Sequence, residues 1–397
     1  MMTALLVAML PAAAQRKEVP KAIDQARTYI KSGKDFDKAE KLMTGLLEKD
    51  TLNRQNKKIL DTWYDAVMAQ YVAGNEKLYL KQKYDTVAFF GLTRRLYTIG
   101  EMLDSVDARP NHRGKVHLEF RKRHAEQLNQ LRPNLYFGST YLLRRGDYEM
   151  AFDYYDCYID ADRQPLFTGY NYAVNDPQMV QAAYWATYCG HKLQDPERVL
   201  KHSNMARKDT SKLVYTLQYL CEAYEKQQND SALEATLTEG FMAYPESPYF
   251  FPRLADRYKA QGQNEKVLEL ANHGLGVNGK NPLFLLAKSI ALLNLDRYDE
   301  CIQACQCIIE LNDTLREPYF NIATCYLNQA LEVEELNEPR LYRDRLQELY
   351  GKARPQMERY RQLAPDDKKR WAPALYRIYL NLNMGKEFEE IDQLMRK

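Results

Sequence analysis

The stretch from residue 214 to residue 247 reads VYTLQYLCEAYEKQQNDSALEATLTEGFMAYPES, and its apolar spacing is the strongest structural signal in the chain. In its first half, Leu217, Leu220, Cys221 and Tyr224 follow the i, i+3, i+4, i+7 spacing of one helical face. A polar break separates them from a second apolar segment, which a proline ends. The stretch therefore predicts two helices joined by a short turn.

The same pattern returns at a constant period along the chain. A small residue occupies the equivalent place in four successive units, namely Cys221, Ala255, Ser289 and Ala323. A large apolar residue stands three positions after each small residue, and another stands four positions before it. Because one hairpin cannot bury its apolar face alone, a constant period of this length predicts an all-α solenoid of stacked helical hairpins.

Two segments carry a family resemblance. Residues 294–313 (NLDRYDECIQACQCIIELND) and 144–162 (RRGDYEMAFDYYDCYIDAD) resemble the second helix of the tetratricopeptide repeat, with Tyr148, Ala151 and Tyr155 at the family's positions. The resemblance covers most of the chain in roughly eight hairpins. It implies a right-handed superhelical solenoid of the kind that binds proteins, and it implies nothing about chemistry.

The resemblance also suggests how the chain is divided. Residues 1–14 are predicted to be a signal peptide, and residues 15–131 are N-terminal hairpins that lie partly out of the repeat phase. Residues 132–397 form the tetratricopeptide-like solenoid. Insertions interrupt its period near residues 164–177 and near residues 332–349.

The signal peptide rests on a short apolar run, Ala4 to Leu10, followed by Ala12, Ala13 and Ala14. No Lys or Arg precedes the run, and no cysteine follows it closely, which disfavours a lipid anchor. We expect a periplasmic or secreted protein of the bacterial cell envelope, with no integral membrane segment after signal cleavage. A frayed N-terminal helix on a cytoplasmic protein is the alternative.

The charge balance argues against nucleic acid as a partner. The chain has 56 basic and 54 acidic residues, a net charge of +2, which creates no global attraction for polyanions. One basic stretch, residues 113–132, has the composition to contact phosphates or an anionic surface. Because Glu119 and Glu126 dilute it, a solvated helix face is the favoured interpretation.

No motif indicates an enzyme. The chain has no phosphate-binding glycine loop, no Gly-x-Ser-x-Gly elbow and no His-Glu-x2-His helix. The seven cysteines have no metal or disulfide spacing and are expected to be buried free thiols. His117 and His124 are two helical turns apart, too far for a helical metal pair. We predict no metal, no cofactor and no catalytic residue, although paired carboxylates for glycoside cleavage stay open.

The family's inner groove suggests where a partner binds. In the repeats from residue 282 onward, the groove positions implied by the resemblance are occupied by apolar residues: Leu283, Leu286, Ile290, Leu293, Phe320 and Leu327. A concave apolar surface suits a protein or peptide partner. The alternative is that the chain covers the groove itself, with Leu341, Leu346 and Leu349 of the second insertion or with its C-terminal helices. The oligomeric state is not set by the sequence.

The first insertion offers another contact surface. It reads QPLFTGYNYAVNDP over residues 164–177 and contains Phe167, Tyr170 and Tyr172. Exposed aromatic rings provide contact area at small entropic cost, and they would also serve a carbohydrate-binding protein of a nutrient-uptake system. Packing of the three rings over neighbouring hairpins is the alternative. Of the possible functions, a non-catalytic scaffold is preferred, with carbohydrate binding second and an all-helical enzyme third.

Overall fold

The computed structural model describes residues 12–336 and 342–396, with side chains from residue 18 onward. Throughout these ranges the ordered elements are α-helices and short 3-10 turns, without a strand. Residues 1–11 of the predicted signal peptide lie outside the described residues. Within the described ranges, the model contains no helix that combines the length and the apolar character needed to span a bilayer.

The helices follow one another in hairpins of similar size. The first twelve are α1 Ala12–Lys31, α2 Phe36–Lys49, α3 Lys57–Tyr79, α4 Thr86–Asp107, α5 Arg121–Arg144, α6 Tyr148–Asp160, α7 Tyr172–Asn175, α8 Gln178–Lys192, α9 Pro196–Lys201, α10 Ser203–Ala206, α11 Leu213–Lys226 and α12 Asp230–Ala243. The remaining eight are α13 Phe250–Ala260, α14 Asn264–Val277, α15 Pro282–Asn294, α16 Tyr298–Leu311, α17 Glu317–Glu335, α18 Arg343–Leu363, α19 Lys368–Asn381 and α20 Gly385–Arg396. Across the described ranges they pair into nine hairpins, with α9 and α10 sharing one place and α7 standing in the first insertion.

The turn inside each hairpin repeats as faithfully as the helices do. Gln194, Gln228, Gly262 and Asp296 keep the period of the small residues and all adopt the left-handed conformation, with φ of 54°, 55°, 68° and 56°. One residue at positive φ lets the chain leave the first helix and begin the second after a short turn. The period thus extends one hairpin further toward the N-terminus than the small-residue pattern does.

Packing divides the chain into two compact units. Unit 1 runs to Leu233 and unit 2 starts at Glu234, so that the boundary falls inside α12. Unit 1 contains one core around α1 to α4 and a second around α3 to α8. In unit 2, the helices α17 to α20 share a core of their own.

The small residues of the repeat mark close helix crossings. Cys221, Ser289 and Ala323 are buried, which agrees with the pattern. Glycines serve the same purpose on the second helices: a Cβ on Gly274 would lie 2.8 Å from the ring of Phe284. Small side chains are required at such crossings because the helix axes approach too closely for larger ones.

The departures from the period have structural causes. In the region out of phase, α3 and α4 have 23 and 22 residues, against 14 for α11 and α12. The first insertion forms one 3-10 turn, Pro165–Phe167, followed by α7, and another 3-10 turn, Ala161–Arg163, directly precedes it. Most of the second lengthens the end of α17 and the start of α18, and residues 337–341 between them are not described.

The cysteines behave as small apolar residues. Five of them are buried as free thiols, namely Cys189, Cys221, Cys301, Cys305 and Cys325. Cys157 is half-buried and Cys307 is exposed. No disulfide forms among the described residues.

Candidate functional site

An apolar groove lies in unit 2 between the first helices of neighbouring hairpins. It encloses about 150 Å³ between α13 and α15. Its lining is Phe251, Pro252, Ala255, Asp256 and Lys259 from α13, Asn264 and Val267 from α14, and Leu283, Leu286, Ala287, Ile290 and Ala291 from α15. We call this surface the unit 2 groove.

The unit 2 groove continues past α15. A second cavity of about 360 Å³ has Leu283 and Leu286 on one wall. Its other residues are Pro282, Ile308, Leu315, Arg316, Glu317 and Pro318. Because the same two leucines line both cavities, the apolar surface runs from α13 across α15 to the first turn of α17.

Two charged side chains at the α13 end distinguish the two ends of the groove. Asp256 and Lys259 are exposed, and neither forms an ion pair with a described residue. At the other end, Arg316 lies 3.3 Å from Glu317, which also accepts from Arg370 at 3.0 Å. Charges available to a partner are therefore concentrated at the α13 end.

Three of the six predicted groove residues form this surface. Leu283 is 44% exposed, and Leu286 and Ile290 are half-buried beside it. Leu293, at the end of α15, is also half-buried but is not part of the lining. The predicted residues that line the groove therefore lie in the first three turns of α15.

Leu327 and Phe320 are also predicted to line the open groove, and for these two residues the prediction is wrong. Leu327 is only 9% exposed and belongs to the core around α17 to α20. Phe320 packs against Tyr360, with ring centroids 5.1 Å apart, and the Arg370 guanidinium lies 3.8 Å from its ring centre. The reason is that the long α17 and α18 pack along each other, which places the later turns of α17 inside a core.

The second insertion packs into the C-terminal core. Leu349 is buried and Leu346 packs against the same cluster of α17 to α20. Leu341 lies outside the described residues. Since the lining of the unit 2 groove comes entirely from α13 to α17 and the turns between them, the described part of this insertion does not cover it.

Unit 1 contains a concavity at the equivalent place of the repeat, two periods earlier. It has a volume of about 370 Å³. Its lining is His191, Lys192, Gln194, Asp195, Pro196, Val199, Tyr219, Glu222, Ala223 and Lys226. Glu222 and Ala223 hold the repeat positions that Ile290 and Ala291 hold in the unit 2 groove. We call this surface the unit 1 concavity.

The unit 1 concavity is polar and internally paired. His191 Nδ1 lies 3.1 Å from a Glu222 oxygen, and its ring stacks on Tyr219 at 4.3 Å. Burial lowers the pKa of His191 below its ordinary value, and the neighbouring Glu222 offsets this only in part. Lys226 donates to the carbonyl oxygen of Gln194 at 3.0 Å. Nothing in the sequence indicated the His191–Glu222 pair, because the two residues belong to different hairpins.

A histidine oriented by a carboxylate serves as a general base when a nucleophile stands beside it. None of the ten residues that line the unit 1 concavity is a serine, threonine or cysteine, and the hydroxyl and amine groups of the lining belong to Tyr219, Lys192 and Lys226. We assign no catalytic role to the pair, which forms a hydrogen-bonded wall of the concavity.

The aromatic residues of the first insertion are mostly core residues. Phe167 is 1% exposed and packs on Tyr97 with ring centroids 5.4 Å apart. Tyr172 is also buried, and its hydroxyl donates to Asn129 at 2.8 Å. Phe167 and Tyr172 are therefore not available to a partner, and only Tyr170 is partly exposed. The insertion is fixed by rings that leave no open aromatic platform for a sugar.

A buried arginine holds the insertion in place. The guanidinium of Arg132 lies between the rings of Tyr158 and Tyr172, at 3.7 and 3.8 Å from their centres. Arg132 also forms an ion pair with Asp176, which accepts a hydrogen bond from the Tyr158 hydroxyl. Arg132 belongs to the basic stretch at residues 113–132, yet its charge is paired with Asp176 inside unit 1.

One cluster in unit 1 has the composition of a metal site. Asp156, Asp160 and His202 bring their ligand atoms within 4.8 Å of one another. The ammonium group of Lys201 already lies 2.6 Å from Asp156 and 3.0 Å from Asp160. His202 adds a 2.7 Å contact to Asp156. The lysine supplies the positive charge that these carboxylates require, and we assign no metal to them.

Comparisons with known proteins identify neither a family nor a relative by sequence. No protein-family model matches the chain, and no curated protein matches it. Structural likenesses are distant. They include the C-terminal part of a TPR repeat-containing protein from Cytophaga hutchinsonii, at 11% identity over 64% of this chain and 91% of that chain, with a TM-score of 0.41.

Two yeast structures are also similar. One is yeast Tom70, at 14% identity over 92% of this chain and 89% of that chain, with a TM-score of 0.34. The other is the TPR2AB domain of yeast Sti1 in a pHSP90 complex, at 12% identity over 75% of this chain and 98% of that chain, with a TM-score of 0.28. The assignment as an all-α array of tetratricopeptide-like hairpins rests on the helices and turns described above.

Proposed function

We propose that this protein is a non-catalytic scaffold that binds a protein or peptide partner through the unit 2 groove. The observation that carries the proposal is the apolar surface that the exposed Leu283 and the half-buried Leu286 form on α15. The core face of that helix is already filled by Phe284, Leu285 and Leu292, all buried. The groove side carries a second apolar stripe, which remains open between α13 and α17 and needs a further apolar neighbour to be removed from water.

The binding mode follows from the lining. Apolar side chains of the partner enter between α13 and α15 and between α15 and α17, covering Leu283, Leu286 and Ile290. Full burial of an exposed leucine contributes about 1.5–3 kcal/mol, and Leu283 and Leu286 contribute less because both are already partly buried. Asp256 and Lys259 set the direction in which the partner lies, because they offer unpaired charges of opposite sign at one end.

The test is a substitution within the groove with a matched control. Leu286→Asp with Ile290→Asp places two carboxylates in the apolar surface and is expected to abolish recovery of the partner. The control, Val277→Asp with Leu311→Asp, makes the same chemical change at two exposed positions outside the lining. Crosslinking in cells from a photoreactive residue at position 283, followed by mass spectrometry, identifies the partner.

The results separate the possibilities. Loss of the partner with unchanged helicity and melting temperature supports the proposal. Unfolding of the groove variant alone would show that these residues belong to the core. Unchanged recovery with both variants would remove the groove from the function.

We propose the cell envelope as the site of action, on the strength of the apolar run from Ala4 to Leu10 and the alanines after it. Fusion of the segment Met1 to Pro20 to alkaline phosphatase, which is active only after export, tests this. An inactive fusion, together with crosslinked partners from the cytoplasm, would place the protein there instead.

A further inference from the structure

Two segments that interrupt the repeat meet on the surface of unit 1. The first is the connection between α4 and α5, residues 108–120, and the second is the insertion at residues 164–177. Both line a cavity of about 330 Å³ together with the first turns of α5. The lining is Leu118, Arg121, Lys122, Ala125, Glu126, Leu166, Thr168 and Tyr170. We call this cavity and the exposed residues of the 108–120 connection the basic patch.

The basic patch exposes aliphatic side chains. Val116 is 53% exposed and Leu118 is 41% exposed. Isolated apolar residues are ordinary on a protein surface, but Val116 and Leu118 alternate here with Lys115 and His117 along the connection.

Four cations of the patch are unpaired. The side chains of Arg109, Arg113, Lys115 and Lys122 are exposed, and none forms an ion pair with a described residue. Glu119 and Glu126 are the exposed acids among residues 109–126. The patch therefore has an excess of positive charge that the net charge of the chain does not reveal.

The nearest acids on α4 cannot neutralise these cations, because other partners hold them. Asp104 pairs with Arg121, with a 2.6 Å contact. Asp107 accepts from Lys57 at 2.7 Å and from the backbone N–H of Phe120 at 2.9 Å. Both carboxylates are buried, and they fix the end of the connection to α4.

The connection itself is ordered by a tight turn. The Asn111 side chain accepts from the backbone N–H groups of Arg113 and Lys115, at 2.9 and 3.1 Å. Gly114 between them has φ of 72°, a conformation that other residues adopt rarely. Arg113 and Lys115 are thus held at a fixed turn, which lowers the entropic cost of binding through them.

We propose that the basic patch binds the surface of an anionic lipid bilayer. Lysine and arginine side chains are attracted to anionic headgroups, and aliphatic side chains beside them enter the boundary of the acyl region. A single-stranded nucleic acid is less well matched, because bases stack on several exposed aromatic rings, whereas the lining of this cavity offers Tyr170 as its single, partly exposed ring. The inference is independent of the unit 2 groove.

The test is sedimentation of the full chain with vesicles at low ionic strength. Vesicles of phosphatidylcholine with about a third phosphatidylserine are compared with pure phosphatidylcholine. We expect binding to the anionic vesicles only, weakened at least about 30-fold by Lys115→Glu with Lys122→Glu. Every variant keeps the same N-terminal residues, so that differences between variants report on the patch.

Two further variants test whether binding depends on the position of the charges and on the aliphatic side chains of the basic patch. Lys368→Glu with Lys369→Glu changes the charge equally at two exposed lysines of unit 2, and it is expected to retain binding. Val116→Ser with Leu118→Ser is expected to weaken binding by the same factor in low and in high salt, because the apolar contribution is not screened, whereas the effect of Lys115→Glu with Lys122→Glu shrinks as the salt concentration rises.

Three results would overturn the proposal. They are no binding to the anionic vesicles, equal loss with the unit 2 control, and binding of a single-stranded RNA but not of vesicles with the same dependence on Lys115 and Lys122.

Discussion

Units 1 and 2 are built from the same hairpin but differ in what they bury. All the buried carboxylate, imidazole and guanidinium side chains found among the described positions lie in unit 1, namely Asp61, Asp104, Asp107, His124, Arg132 and His202. In unit 2 the buried polar residues are neutral: Thr236, Ser289 and Asn321. The inner surfaces differ in the same sense, because Gln218 and Glu222 of unit 1 stand where unit 2 has Leu286 and Ile290.

Where the period holds, each apolar face meets the next hairpin and the core needs no charged residue. In unit 1 the long α3 and α4 and the first insertion interrupt the period, and the elements are joined by ion pairs such as Arg132–Asp176. The second insertion interrupts unit 2 as well, but there the lengthened α17 and α18 pack through apolar residues of their shared core. The ion pairs of unit 1 are specific in geometry, and removing one partner leaves a buried charge.

The largest expected effect is on the ion pair that holds the insertion. Arg132→Leu leaves Asp176 without its cation and empties the space between Tyr158 and Tyr172. We expect unit 1 to lose about 3–5 kcal/mol of unfolding free energy. Hydrogen-exchange mass spectrometry in urea measures units 1 and 2 separately. Arg145→Leu, at an exposed arginine near Tyr141, is the control, and equal losses would refute a special role for the buried pair.

Exchanging residues between the two inner surfaces tests which unit binds the partner. Leu286→Gln with Ile290→Glu gives unit 2 the residues of unit 1. We expect partner affinity to fall about 100-fold, or about 2.7 kcal/mol, because the apolar contact is lost and a carboxylate is buried. The opposite exchange, Gln218→Leu with Glu222→Ile, is expected to leave the affinity within about twofold. Titration with the partner that crosslinking identifies measures both affinities. A larger effect of the second exchange would assign binding to unit 1.

The helix crossings are expected to differ in how much an added methyl group destabilises the fold. A Cβ at Gly190 would lie 2.5 Å from the backbone nitrogen of Val199, whereas one at Gly274 meets the side chain of Phe284. Since a ring moves more easily than a helix backbone, we expect Gly190→Ala to cost about 2 kcal/mol and Gly274→Ala about 1 kcal/mol. Gly276 has open space around it.

Gly276→Ala is therefore the control for the crossings, and it is expected to stabilise α14 by up to about 1 kcal/mol through helix propensity. Urea unfolding of the three variants measures the order. If Gly274→Ala lowers the unfolding free energy more than Gly190→Ala does, the Phe284 ring at the unit 2 crossing is held as firmly as a helix backbone.

The smallest expected effect is a dependence on pH in unit 1. Burial, with a smaller contribution from Asp160, raises the pKa of Glu101 to about 7. The folded state therefore holds a proton that the unfolded state releases near pH 4.5, and stability falls as the pH rises from there through 7. Partial exposure limits the effect to about 1 kcal/mol.

Glu101→Gln removes this dependence. The variant is expected to exceed the natural chain in stability at pH 8 and to match it near pH 4.5. Protection factors of the α4 amides, which correct for the intrinsic pH dependence of exchange, measure the effect at the two pH values. Glu310→Gln, at an exposed position of unit 2, is the control and should keep the pH dependence of the natural chain. Loss of the dependence in this control as well would contradict the assignment to Glu101.

The fold could be predicted closely because its signals are local. The spacing of Leu217, Leu220 and Tyr224 defines one helix face, and such spacing depends only on helical geometry. The left-handed turn residues at 194, 228, 262 and 296 keep the same period. The lengthened α3 and α4 appear in the sequence only as a region out of phase.

The site could be predicted in part. Leu283, Leu286 and Ile290 line the unit 2 groove as expected, because their positions follow from the register of α15. Leu327 lies in a core instead, because its exposure depends on how α18 packs against α17.

The helices, the hairpin period and the residues that face the inside of each repeat can be read from the amino-acid order alone, since they follow from neighbours within one or two turns. Which groups remain available to a partner emerges only when the chain is folded. Arg132 and Lys115 look alike in the sequence, yet one is buried against Asp176 and the other is exposed. The physical reason is that burial and charge pairing are set by contacts between distant parts of the chain.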